Sequence, residues 1–184
     1  MIKLYGGARS RASIVQWYLE ELSIPYEFIL LDMAAGEHLQ PAYLEINPVG
    51  KVPAIEDGEI TLWESGAILL YLAEKYYKPD VSLEERNIWA QWVLFANSTL
   101  ATGLFVETSR EKEVPKLLTA LSTIFKEHPY VLGADFSVAD AAVGAMLAYV
   151  PMMLPIDLSP YPVIAEYIKR VSERPAFQKT IGKR

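Results

Sequence analysis

Apolar positions along the chain recur with two different periods, and the change from one to the other divides it near residue 78. Before that point, short apolar runs alternate with helical spacing. Ile2 to Tyr5 reads as a strand. Ser13 to Leu22 follows as a helix, with Ile14, Val15, Tyr18, Leu19 and Leu22 on one stripe. Pro25 stops that helix, and Tyr26 to Leu31 reads as a second strand, parallel to the first if the three form a strand-helix-strand unit. Ala34 to Asn47 is polar and contains proline, which gives loop and a short helix. Val52 to Glu56 and Glu59 to Leu62 flank Asp57-Gly58, the strongest hairpin signal in the chain. Ser65 to Tyr76 reads as a helix.

Beyond Lys78-Pro79-Asp80 no further strand is predicted. Leu83 to about Thr108, Val114 to Glu127, Val138 to Leu147 and Val163 to Arg174 have helical periodicity. Pro115, Pro129, Pro151, Pro155, Pro160, Pro162 and Pro175 punctuate the boundaries. Within this half, Ser137-Val138-Ala139-Asp140 has the spacing of a capping box, a device of helix folding rather than chemistry. The predicted fold class is α/β plus all-α. A thioredoxin-like β-α-β / β-β-α domain spans 1–78, and a helical-bundle domain follows over 79–184.

Composition removes several function classes. Of 184 residues, 52% are apolar, which is ample for a packed core. A formal charge of -6 with only 17 basic residues speaks against nucleic acid, which needs a basic patch to displace counterions. No apolar run approaches the ~20 residues that cross a bilayer, so no membrane partner is expected. Met1 to Tyr5 has no basic segment leading into an apolar stretch, so no signal peptide is expected. The chain has no cysteine, which fits a reducing cytoplasm and excludes disulfides, thiolate metal sites and a cysteine nucleophile. Any thiol chemistry must therefore use a thiol brought by a ligand, and no metal is expected.

Two segments carry candidate chemistry. In Asn47-Pro48-Val49-Gly50-Lys51-Val52-Pro53, a proline at the head of a strand cannot donate to a sheet. If the Val52-Pro53 bond is cis, the Val52 backbone faces outward and offers a ladder to an extended peptide; the alternative is a rigid turn that only shapes the fold. In Glu64-Ser65, the serine lies at a helix start, where free amides and the positive dipole end attract a carboxylate, and Glu64 can accept from an ammonium. That pairing suits an α-amino acid head group; seen alone, it is also a plain helix cap.

Tyr5 through Arg11, the Asn-Pro-x-Gly-Lys-Val-Pro segment, the Glu-Ser pair after Pro53 and the late Ser-Val-Ala-Asp box together resemble the glutathione transferase superfamily, in the right order over nearly the whole chain. The resemblance implies that glutathione is held by Glu64 and Ser65 at its γ-glutamyl group, by Val52 ahead of cis-Pro53 at its cysteinyl backbone, and by Lys51 at its glycyl carboxylate. Gly36-Glu37-His38 resembles a phi-class stretch, which adds His38 at that carboxylate. Thiol activation is left open. One alignment puts Tyr5 at a tyrosine position with Arg11 in support, and another puts Arg9 at a serine position with Ser10 adjacent. The all-α half would contribute the electrophile pocket, with Phe105, Tyr149 and Met152 as candidates beside Phe95, Leu104 and Met153.

The chain is short for this superfamily and resembles its small chi class, which implies isothiocyanates as electrophiles alongside aryl halides. The expected partners are glutathione as co-substrate, a hydrophobic electrophile and a second copy in a homodimer; no other cofactor is expected. Two alternatives share these residues: a transferase-like interaction module without chemistry, and a glutathione-dependent peroxidase.

Overall fold

The structure, a computed structural model, describes residues 1–183 and divides into two compact units, Met1–Val81 and Ser82 onward. In the first unit β1 (Ile2–Gly6) leads through α1 (Ala12–Glu21) to β2 (Tyr26–Leu30), which runs parallel to β1 with Ile2 opposite Tyr26. A short α2 (Pro41–Leu44) precedes β3 (Ala54–Asp57) and β4 (Ile60–Trp63). The unit ends in α3 (Ser65–Leu72), continued by a π-helical turn over Ala73–Tyr77. The sheet order is β2-β1-β3-β4, with β3 antiparallel to β1 and β4 antiparallel to β3. This is the thioredoxin-like arrangement that the hydrophobic periods predict.

The hairpin turns one residue later than its aspartate-glycine pair suggests. Asp57 pairs with Ile60, so the loop is Gly58-Glu59, and Gly58 takes φ 64. The first position of a mirror-image hairpin turn needs a positive φ, which glycine adopts at no steric cost. Asp57 instead ends β3, where its carboxylate accepts from the Tyr71 hydroxyl at 2.8 Å and the Lys75 ammonium at 2.7 Å.

Side chains alternate across β1. Ile2 and Leu4 are buried, and α1, packed on β1, and α3, packed on β3 and β4, bury Ile14, Val15, Ile68, Leu69 and Leu72. Each such side chain contributes about 1.5–3 kcal/mol. Tyr5 points to the other face, where it meets Tyr43 of α2 and Ala54, with Ile29, Leu31, Ile46 and Val52 around them.

The second unit is helical throughout. α4 (Leu83–Leu94) continues through a π-helical turn at Phe95–Leu100 into α5 (Ala101–Phe105). α6 (Glu107–Glu127), α7 (Val138–Met153), α8 (Pro162–Ser172) and α9 (Pro175–Lys179) follow. α7 packs against α4 and α8 and is buried at every position from Val138 to Val150, as a helix apolar all round must be.

Two prolines expected at boundaries lie inside helices. α6 begins at Glu107 and runs through Pro115, and α7 runs through Pro151 to Met153. An internal proline costs about 3 kcal/mol through one lost hydrogen bond and a ring clash. In α6 the buried stripe of Val114, Leu117, Leu118, Leu121 and Phe125 outweighs that cost. Pro162 and Pro175 take the first helical position, where no amide partner is lost.

Candidate functional site

Chemistry in the first unit gathers on three segments that leave the sheet. Gly7 to Arg11 carries the chain from β1 to α1. The Ser10 hydroxyl accepts from the Gly7 amide at 3.1 Å and the Ala12 amide at 3.3 Å, and donates to the Gly7 carbonyl at 3.0 Å. Ser10 therefore ties the loop to the start of α1, and Arg11 projects from the helix cap position.

The second segment is a turn built by its own residue types. Asn47 and Gly50 close it through the Gly50 amide and Asn47 carbonyl at 2.9 Å, with Pro48 at the second position, where its fixed φ fits. Gly50 has φ 63, open to glycine without strain. The Asn47 side chain is 2% exposed; its oxygen accepts from the Val49 amide at 3.0 Å and its nitrogen donates to the Lys51 carbonyl at 2.7 Å. The Tyr43 hydroxyl donates to the same carbonyl at 2.6 Å. These two bonds fix the backbone entering Val52, whose peptide bond to Pro53 is cis. Among the described residues the Val52 amide and carbonyl make no hydrogen bond, so this stretch presents a strand edge with both groups available.

The third segment joins β4 to α3. Glu64 holds φ 70 and ψ 118, a conformation that costs a non-glycine residue about 1–3 kcal/mol. Ser65, the first residue of α3, is 3% exposed. The α3 amino end therefore opens onto whatever the three segments enclose.

They enclose a cavity of about 220 Å³. Arg11 and Lys51 supply two cations to it, Glu64 one carboxylate, Ser65 a hydroxyl at the helix start, and Asn47, Val52 and Pro53 the remaining wall. The side chains of Arg11, Lys51 and Glu64 have no hydrogen bond or ion pair among the described residues. An unpaired strand edge, two cations, a helix amino end and one acceptor carboxylate are complementary in chemistry to an extended peptide with carboxylate ends and an ammonium.

Comparison with known proteins gives the family of the chain. Residues 1–74 match the family model "Glutathione S-transferase, N-terminal domain", and residues 86–184 match "Glutathione S-transferase, C-terminal domain". The chain belongs to the glutathione S-transferase family. It is 30% identical to a glutathione S-transferase of Silene vulgaris, over 98% of this chain and 97% of that one. It is also 30% identical to the disulfide-bond oxidoreductase YfcG of Escherichia coli, over 100% and 95%. Among solved structures, the glutathione transferase URE2P6 of Phanerochaete chrysosporium, in complex with oxidized glutathione, superposes with a TM-score of 0.84 at 28% identity, covering 99% of this chain and 95% of that one.

Set against the transferase resemblance, Arg11, Lys51, Val52, Pro53, Glu64 and Ser65 come together in one cavity. Asn47 joins them; the sequence marks it only as the opening of an Asn-Pro turn. The other site candidates lie elsewhere. The Tyr5 hydroxyl donates to the Glu56 carboxylate, and its ring lies 5.8 Å from that of Tyr43. Burial, then the bond to Glu56, push the Tyr5 hydroxyl well above its ordinary pKa, while that bond holds Glu56 below the usual carboxylate range. Arg9 lines a different cavity of the same unit. His38 sits in the short helical turn Glu37–Leu39, half-buried, with Nδ1 buried and lacking a hydrogen-bond partner among the described residues.

In the helical unit, Phe105 and Tyr149 meet edge to face at 6.5 Å, while Met152 is 44% exposed at the end of α7. Leu104 is fully buried, Met153 is exposed, and Phe95 lines a small apolar cavity of about 180 Å³ with Trp92, Leu117 and Leu121. Among the described residues, no cluster of side chains could hold a metal ion and no helix is long and apolar enough to cross a membrane.

Proposed function

We propose that this family member binds glutathione in the Arg11–Ser65 cavity and adds its thiolate to an electrophilic small molecule, with aryl halides and isothiocyanates as the substrate classes. The γ-glutamyl carboxylate lies at the amino end of α3 against Ser65, and its ammonium on Glu64. The cysteinyl backbone pairs with Val52, and the glycyl carboxylate meets Lys51, with His38 further along. The observation that carries this reading is the cavity itself: two unpaired cations, one unpaired carboxylate and an open strand edge meet at a helix start.

Within that reading Arg11 is the group that favours the thiolate, because it is the unpaired cation that the loop from β1 contributes to this cavity. Ser10 holds that loop, and Tyr5 serves the sheet through Glu56. The size of the effect is bounded. A free thiol has a pKa of about 8.5, and lowering it by ~2 units takes ~2.7 kcal/mol of differential stabilisation. The thiolate fraction at pH 7 then rises roughly 25-fold, but lower basicity gives back ~8-fold through a Brønsted slope of ~0.4–0.5. Activation alone yields a few-fold, so positioning of the electrophile supplies the rest.

The disulfide-bond oxidoreductase among the relatives supports a second reading, in which glutathione reduces a disulfide or peroxide here. With no cysteine in the chain, the reducing thiols in that reaction come from glutathione. Turnover of glutathione with an aryl halide, an isothiocyanate, a hydroperoxide and a low-molecular-weight disulfide separates the readings. Thioether product supports the transferase; oxidised glutathione with the reduced thiol or alcohol as co-product, and no thioether, replaces it with the oxidoreductase. A homodimer in the cytoplasm belongs to the same proposal, and sedimentation at micromolar concentration tests the dimer.

A further inference from the structure

Arg9 and Arg11 flank Ser10 and open into different cavities of the first unit. The Arg9 cavity measures about 640 Å³ and has apolar walls from Leu30, Leu31 and Met33. Leu30 is 60% and Met33 37% exposed, so large apolar surface faces the opening. Arg9 is its only cation, and it makes no hydrogen bond or ion pair among the described residues.

Two carboxylates share the lining, and both are held by backbone amides. Asp32 accepts from the Ala34 and Ala35 amides at 2.9 Å each, and Glu37 accepts from the Asp32 amide at 2.7 Å. Neither pairs with Arg9. A guanidinium without a partner beside exposed leucine and methionine is complementary to an apolar molecule that ends in an anion. At contact distance a charge-assisted bidentate bond outweighs the more distant carboxylates, which solvent screens.

Chain geometry links this cavity to the glutathione cavity. Two residues apart, Arg9 and Arg11 have α-carbons no more than about 7 Å from one another. Both residues leave the one loop from β1 to α1, so the Arg9 cavity and the glutathione cavity share that loop as a wall.

Resting on the glutathione reading, we propose that the Arg9 cavity selects electrophiles that carry a carboxylate or similar anion on an apolar body, and that Arg9 is the residue that reads it. For 4-fluoro-3-nitrobenzoate, the thiol proton leaves to solvent, sulfur bonds to the ring carbon bearing fluorine, the carbon–fluorine bond breaks, and fluoride departs with its electron pair.

The test needs no turnover. Calorimetry measures binding of glutathione, of the conjugate S-(4-carboxy-2-nitrophenyl)glutathione, and of the same conjugate with a carboxamide in place of the carboxylate. In the wild type the carboxylate conjugate is expected to bind about tenfold more tightly than the carboxamide. In Arg9→Gln that ratio falls to about one while glutathione affinity stays as it was; Arg9→Lys restores part of it. Arg9 is exposed, and a melting curve for each variant confirms folding. Equal affinity for both conjugates in the wild type, or a ratio unchanged in Arg9→Gln, overturns the proposal and leaves the glutathione reading standing. Loss of all three ligands in the wild type overturns both.

Discussion

Two helix starts in this protein use the same residue types to opposite ends. At α7, Asp140 is fully buried and its carboxylate accepts from the Val131 amide at 2.8 Å, the Ser137 amide at 3.0 Å and the Tyr167 hydroxyl at 3.0 Å. Ser137 completes a capping box with it, so the chain itself satisfies the amino end of the helix. At α3, Glu64 makes no cap, its backbone is held at φ 70, and Ser65 faces a cavity with two unpaired cations. A helix start closed by its own chain stabilises the fold. One left open beside uncompensated charge is available for a ligand, and its cost is met by stability elsewhere.

Substitutions at each start should therefore separate stability from binding. The largest effect is expected from Asp140→Ala, which leaves the Val131 and Ser137 amides and the Ser137 and Tyr167 hydroxyls without their acceptor and should cost about 4 kcal/mol of unfolding free energy. Chemical denaturation checks the loss, and glutathione affinity of the folded fraction should not change. Ser65→Ala should act on binding, weakening glutathione by about 1–3 kcal/mol. Arg11→Ala should raise the pKa of the bound thiol by about one unit, or ~1.4 kcal/mol, read as a shifted thiolate absorbance titration near 240 nm.

The smallest effect on turnover is expected from Tyr5→Phe, less than about twofold at pH 6.5, because that hydroxyl already serves Glu56. Its signature is in acid stability instead. The Tyr5 hydrogen bond depresses the Glu56 carboxyl, so in the folded state Glu56 stays ionised to lower pH than in the unfolded chain. That contribution is present above the unfolded carboxyl value and is lost as pH falls through the folded one. Wild type should exceed Tyr5→Phe in stability at pH 7, and the gap should close on acidification. A large loss of turnover with no such gap would return Tyr5 to the thiol.

Much of this was legible from periodicity. The strand from Ile2 to Tyr5 and the helical stripe of Ile14, Val15, Tyr18 and Leu19 depend on local burial, which the pattern reports directly. The cradle was legible as three short motifs whose meeting required the fold. What stayed hidden depended on longer-range balance. Pro115 reads as a boundary because its local cost is visible, whereas the tertiary burial that offsets it is not. The hairpin register slipped by one because Asp57 finds donors on Tyr71 and Lys75, well along the chain. The division of Arg9 and Arg11 between two cavities has no signal in the spacing of the two residues.

Titrating glutathione into the wild-type protein by calorimetry, then into Ser65→Ala, decides whether the open start of α3 belongs to glutathione. One site per chain, weakened by about 1–3 kcal/mol in the variant, is the predicted result. No heat of binding, or equal affinity in both proteins, would contradict it.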